Sequence, residues 1–194
     1  MTPRRKLRGN LCAAALTASM MIASTAIHAQ DAVFEPDLYR TGDYRAPVPQ
    51  TLRGARVVTT ADAQMLWREK RGVFIDVMPR PPKPPNLPPD TIWRDRPRHN
   101  IPGSLWLVDT GYGKLAAATE TYFRDGLKQA SRGDRDALLV FYCQADCWMS
   151  WNAAKRAVDD GYRNVAWFPE GTDGWEQAGL PLVDAQPMPR LSPE

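Results

Sequence analysis

Histidine is almost missing from this chain, and that shortage excludes several chemistries. There are two histidines, His28 and His99, and three cysteines, Cys12, Cys143 and Cys147. Such a set cannot build a multi-histidine zinc centre, nor a four-cysteine one. A basic stripe is also lacking, which removes the electrostatic footprint of a nucleic-acid binder. No internal repeat is present, and no shift in composition marks a second domain. Acidic residues are absent from the first thirty positions, whereas Arg4, Arg5, Lys6 and Arg8 open the chain.

That basic start precedes an apolar run from Leu11 to Ile27, broken only by small or polar residues. The pattern predicts a secretory signal peptide over residues 1–29, cut after Ala29, with Ser24-Thr25-Ala26 as a second small-x-small match upstream. The run is short of a comfortable membrane span, so cleavage is expected to leave no stable anchor. Removing the leader changes the charge. Of 25 basic and 22 acidic residues, four basic and no acidic ones precede Gln30, which leaves 21 against 22. The apparent basicity is therefore a targeting signal. The remaining 165 of 194 residues suit one domain with a sizeable core. It keeps His99, Cys143 and Cys147, and an oxidising compartment would let the two thiols pair.

Residues 30–55 carry several prolines among charged residues and read as an irregular arm packed on the domain. A domain over residues 56–185 follows, then a tail over 186–194. Within the domain, strands are predicted at 56–59, 72–77, 137–142 and 164–168. A turn leads into another near Trp106. Helices are predicted at 61–70 (capped by Thr60), 119–130, 149–160 and 173–178. Alternating strands and helices imply an α/β fold with a mainly parallel sheet covered on both faces. Residues 79–89 hold seven prolines. That composition favours a stiff extended loop, either a plain linker or a lid near a site.

The segment Phe141-Tyr142-Cys143-Gln144-Ala145-Asp146-Cys147-Trp148 carries the chemistry. A thiol at the carboxyl end of a buried strand, in a tight loop opening a helix, is where an α/β fold places a nucleophile. Backbone N–H groups of the loop and the helix N-terminus favour a thiolate there. Cys147 adds a redox or metal option.

Three pieces together resemble a rhodanese-like domain over about Val57 to Val183. Phe74-Ile75-Asp76-Val77 is similar to that family's strand ending in Asp-Val. Ile101-Pro102-Gly103-Ser104 is similar to its His-Ile-Pro-Gly-Ala turn. Tyr142-Cys143 with its loop and helix, then Gly161-Tyr162-Arg163-Asn164-Val165 and Gly171 through Pro181, follow its second half. The Cys-Trp pair, the Ser-Trp-Asn-Ala-Ala-Lys-Arg-Ala helix, the proline insert and the leader resemble PQQ-dependent catabolism-associated CXXCW motif proteins. Here the spacing is Cys-x-x-x-Cys-Trp, one residue longer. The resemblance implies a rhodanese-like three-layer sandwich and a periplasmic location. It also implies an accessory role in alcohol oxidation that uses pyrroloquinoline quinone (PQQ). The partners it implies are a sulfur donor or acceptor, or a periplasmic quinoprotein dehydrogenase system. No cofactor is required, with PQQ and copper as candidates. The persulfide carrier would be Cys143. Gln144, Asp146 and Trp148 stand where the family's loop uses Arg, Gly and Arg, and Ala145 completes the loop. Cationic donors for an anionic sulfur donor are thereby lost.

Three readings of Cys143 and Cys147 stand open. One is sulfur transfer through Cys143, with Cys147 as the resolving thiol, which would make the protein a sulfurtransferase. The second is redox or structural pairing, since residues four apart in a helical turn have Cα atoms about 6 Å apart. The third is a non-catalytic binding module or a copper chaperone using Cys143, Cys147 and His99, because thiolates select soft ions. Trp148 and Trp151 would either stack on a quinone or join the core. Asp76 would either orient the loop through hydrogen bonds or cap a turn. Arg80, Arg94, Arg96 and Arg98 can stand in for the missing loop arginines.

Overall fold

The computed structural model describes residues 33–190 apart from Pro82 and Asp95. The expected leader and the last four residues of the expected tail lie outside the described residues. Along the chain run β1 (Ala55–Val57), α1 (Thr60–Arg68), β2 (Val73–Asp76), β3 (Arg98–Asn100), β4 (Leu105–Trp106) and α2 (Ala117–Ser131). Then come β5 (Leu139–Tyr142), α3 (Trp148–Asp159), β6 (Val165–Trp167), α4 (Gly171–Gln177) and β7 (Val183–Ala185).

Five strands form one sheet in the order β1-β6-β5-β2-β4, and each pairing within it is parallel. Strands in such a sheet are buried on both faces, which is why they read as continuous apolar runs. Alternate residues feed two cores. Ile75, Leu139, Phe141 and Trp167 pack with α2 and α3. Phe74, Val140, Tyr142 and Phe168 pack with Ala63 and Leu66 of α1 and Trp175 of α4. The result is the α/β three-layer sandwich that the alternating pattern predicts.

Topology places the site. The step from β1 to β2 runs across the sheet in one direction, and the steps β4 to β5 and β5 to β6 run in the other. Parallel crossovers keep one hand, so α1 belongs on the face opposite α2 and α3, as observed. The direction reverses between β2 and β5. A crevice at the carboxyl ends of strands beside such a reversal is the usual ligand position in open α/β sheets. Asp76 and Tyr142 are register partners at that point, and Cys143 follows Tyr142 directly.

Some local expectations change. Thr59, not Thr60, caps α1, because Thr59 and Asp62 form a reciprocal capping box that Thr60 cannot complete. Helix α4 begins at Gly171, two residues before the predicted start, and α2 is longer than predicted at both ends. An antiparallel pair, β3 with β7, lies outside the main sheet. Its strands (Arg-His-Asn and Val-Asp-Ala) are three residues each, too short for an alternating pattern to stand out, which is why the sequence does not announce them.

Candidate active site

The Cys143–Cys147 pair forms a disulfide, with Cα atoms 6.6 Å apart. The separation lies within the disulfide range, although the loop reaches it without the helical turn that the spacing argument used, Cys147 being extended. Asp146 makes it reachable by adopting a left-handed conformation, φ 49°, which Asp tolerates better than most residues. Cys143 is fully buried and Cys147 is 3 % exposed. Gln144 and Ala145 are half-buried, and Asp146 is exposed. The carbonyl oxygens of Gln144 and Cys147 lie 3.6 Å from Cys143 Sγ. Acceptors at that position suit a thiol or a disulfide better than a sulfur anion.

The Cys143 carbonyl is pinned from three sides. It accepts from Thr172 N, Thr172 Oγ1 and Arg98 Nη2, each at 3.1 Å. Arg98 Nε in turn donates to Asp76 Oδ2 at 2.7 Å, and Met78 N donates to Asp76 Oδ1 at 2.9 Å. Asp76 therefore orients the loop through a relay, Asp76 to Arg98 to Cys143. Burial pushes the Asp76 carboxyl above the usual carboxylate range, opposed by the Arg98 guanidinium and the Met78 N–H.

Tyr142 fixes the other side. Its buried hydroxyl donates to Ser104 Oγ at 2.7 Å and accepts from Ile101 N at 3.0 Å. The Ile-Pro-Gly-Ser turn is thus tied to the residue before Cys143. Burial, with Asp76 nearby, holds that phenol well above its ordinary value. Gly171 packs against the loop. A Cβ there would lie 2.7 Å from Gln144 Cα and 2.8 Å from the Cys143 carbonyl carbon, and φ is +52°. Only glycine fits this contact.

The arm covers the pair. Arg45 lies opposite Cys147 in an antiparallel bridge flanked by Trp148 N to Tyr44 O (2.9 Å) and Ala46 N to Asp146 O (3.1 Å). Arg45 Nη1 also donates to Ala145 O at 2.8 Å. Trp148 and Trp151 are core residues, 3 % and 0 % exposed, packed edge-to-face and donating to Pro47 O and Thr51 O. Their burial corrects the idea of an open stacking platform for a quinone. The ring of Trp148 meets the Arg40 guanidinium at 5.3 Å.

The third sulfur reading is also corrected in part. His99 lies in β3 with its imidazole Nε2 2.9 Å from Asp184 Oδ1 of β7. Among the described residues no group of three or more His, Cys, Asp or Glu is placed to hold a metal. Antiparallel pairing of β3 with β7 commits His99 there, so Cys143, Cys147 and His99 do not form the copper set. Of the four arginines around the insert, Arg98 reaches the loop. Thr172, Gly171 and Arg45 are the members that sequence reasoning misses. Gly171 before a helix was a visible signal for the first two, and nothing in the arm marks Arg45.

No family model and no curated protein matches the chain. Among solved structures, the backbone is similar to a protein from Rhodopseudomonas palustris of unknown function, described as a possible tyrosine phosphatase. That likeness has 24 % identity and a TM-score of 0.42, covering 70 % of this chain and 99 % of that one. It is also similar to an uncharacterized protein from Saccharomyces cerevisiae, at 19 % identity and TM-score 0.39, covering 64 % of this chain and 93 % of that one.

Proposed function

We propose that this chain is an exported rhodanese-like accessory protein of PQQ-dependent alcohol oxidation, acting in the periplasm through the Cys143–Cys147 pair. The observation that carries the chemistry is the disulfide in the loop at the carboxyl end of β5, beside the sheet's point of reversal. The rhodanese-like and PQQ assignments rest on the motif resemblance given above.

Thiol–disulfide exchange is the reaction the loop supports best. In the reducing direction, a thiolate of the Cys143–Cys147 dithiol attacks a partner disulfide and expels one partner thiolate. The second cysteine then attacks the mixed disulfide, expels the other, and leaves Cys143–Cys147 oxidised. Two electrons and two protons pass to the partner. Sulfur release from a persulfide ends in the same state. Cys147 thiolate attacks Cys143 Sγ and hydrosulfide leaves. The arginines of the site bind loop carbonyls, Arg98 on Cys143 and Arg45 on Ala145. That use of cations weighs against efficient capture of an anionic sulfur donor and in favour of exchange with a disulfide partner.

The burial of both sulfurs beneath Tyr44 to Pro47 favours a second reading, a binding module whose disulfide is structural. Intact mass with thiol alkylation, before and after equilibration in glutathione buffers, separates the two. Reversible two-hydrogen loss in folded protein supports exchange. A disulfide that opens only when the protein unfolds would sink it and leave the binding module. An extra sulfur on the Cys143 peptide, lost on reduction, would shift the chemistry to persulfide transfer.

A further inference from the structure

Both sulfurs are covered, so exchange with a partner needs a way in. Cys143 is fully buried at the end of β5, with its carbonyl held by three donors. Cys147 is 3 % exposed, and a short stretch of the arm, Tyr44 to Ala46, runs beside it.

That stretch pairs with the loop as one strand pairs with another. Trp148 N donates to Tyr44 O at 2.9 Å, and Ala46 N donates to Asp146 O at 3.1 Å. Arg45 and Cys147 stand opposite each other between these two bonds, which makes them a non-hydrogen-bonded antiparallel pair. In such pairs the Cα atoms lie about 4.5 Å apart and the side chains are at their closest. A disulfide bridges Cα separations of roughly 4.4 to 6.8 Å. A cysteine in the place of Arg45 would therefore stand within bonding reach of Cys147.

We propose that the backbone of Asp146 to Trp148 is a docking edge for a partner's cysteine-bearing segment, which adds as an antiparallel strand in place of Tyr44 to Ala46 and engages Cys147. The inference rests on the exchange reading above and supplies its partner class and its entry sulfur. Main-chain hydrogen bonds give such an added strand its affinity. The arm is a resident mimic. Its two backbone bonds, and the Arg45 guanidinium on Ala145 O at 2.8 Å, hold the edge until a partner displaces them. Anchors on either side stay in place, since Arg40 is tied to Asn152 and Thr51 O to the Trp151 indole. Gly42, where a Cβ would meet nothing within 4 Å, gives the paired stretch room to move.

A partner dithiol balances the reaction. One partner thiolate attacks Cys147 Sγ, the Cys143–Cys147 bond breaks, and Cys143 leaves as a thiolate that takes the proton the partner thiol gave up. The second partner thiolate attacks the first partner sulfur, and Cys147 leaves and is protonated in turn. The partner loses two electrons and the pair gains them.

A synthetic peptide tests this: Gly-Asp-Tyr-Cys-Ala-Pro, the sequence of residues 42–47 with cysteine for Arg45. Oxidised protein is mixed with the reduced peptide, quenched in acid, alkylated and mapped by mass. The expected product is a peptide disulfide on Cys147 with Cys143 alkylated. It should form about tenfold faster than with a peptide carrying N-methylalanine, which lacks the N–H for Asp146 O. Arg45→Ala removes the guanidinium contact, and Ala46→Pro removes the arm's own N–H. Each should speed the reaction several-fold, and Arg45 is exposed, so its variant should keep the fold. Bonding to Cys143, equal rates for the two peptides, or rates unmoved by both variants would each overturn the proposal while exchange itself stands. A disulfide that no thiol opens short of unfolding, mercaptoethanol included, would sink the exchange reading and this inference with it.

Discussion

Helices α1 and α3 start in opposite ways, and the difference separates what is written locally from what is written by the fold. At α1, Thr59 and Asp62 cap each other's backbone within four residues. At α3, the cap position is Cys147, whose side chain makes no capping bond, and the first turn holds no acid. Its first N–H is met from far away instead, and its side chains tie it to the arm. Trp148 N donates to Tyr44 O, and Asn152 grips the backbone of Arg40 from both its amide ends. Where a serine would spend its hydroxyl on the helix, Cys147 carries a sulfur bonded to Cys143. Giving up a local cap at the loop of the candidate site is the kind of local inconsistency expected of functional sites.

The comparison breaks hardest at Asp76. If the α3 loop depends on the Asp76–Arg98–Cys143 relay, Asp76→Ala leaves a largely buried guanidinium without its partner. The expected loss is about 3 kcal/mol, read from urea unfolding. Reduction of the Cys143–Cys147 disulfide by dithiothreitol should also become faster, because the Cys143 carbonyl loses a donor's anchor. Unchanged reduction kinetics alongside a full stability loss would show that the relay holds the sheet and not the loop.

A smaller effect is expected from Cys147→Ser. The bond closes a loop of sequence separation 4, and so short a closure restricts the unfolded chain modestly. The chain-entropy relation gives about 2 kcal/mol. Amide exchange at Trp148 and Met149 should rise while exchange at Asp62 stays as it was. Equal rises at both helix starts would erase the distinction drawn between them.

These two cases show why some of the site was legible and some was not. Cys143, Cys147 and Asp76 sit in or beside apolar runs, so their place at strand ends follows from periodicity and from parallel sheet geometry. Asp146 was readable as a left-handed position from its side-chain chemistry. The capping box at Thr59 was within reach, since Asp follows three residues later, yet its neighbour Thr60 offers the same hydroxyl. Arg45 and Tyr44 were not legible at all. Their contacts with the loop span about a hundred residues of sequence and fall on backbone atoms apart from the Arg45 guanidinium, so residue type leaves little trace of them. The pair β3 and β7 was hidden for a related reason. Only Asn100 and Ala185 of its six residues are buried, too few to mark a strand pattern in the sequence.

Thr59→Ala is the control on the local side. It removes the hydroxyl that accepts from Asp62 N, and a lost cap of this kind costs about 1 kcal/mol. Reduction of the disulfide should proceed at the wild-type rate, because α1 lies on the sheet face opposite α3. A change in that rate would mean the two helix starts are coupled through the sheet.

The finest distinction is in the sign of the pH dependence. Asp62 is held below its ordinary value of 3.8 by the Thr59 hydroxyl and backbone N–H. Its contribution is therefore complete above 3.8 and is lost as pH falls through the lower, folded value. Asp76 is shifted the other way, upward by burial against the pull of Arg98. Between 3.8 and its folded value the native chain holds a proton that the unfolded chain has released. That part of its contribution is present at the acid end and lost as pH rises through the folded value. Urea midpoints between about pH 3 and pH 7 should show this by subtraction. The gap between wild type and Asp62→Asn should widen as pH rises, then level off, and be small because the group is exposed to solvent. The gap between wild type and Asp76→Asn should narrow over the same rise. Two gaps that move together would mean that the carboxyl under the cysteine loop is governed by its ion pair and not by its burial.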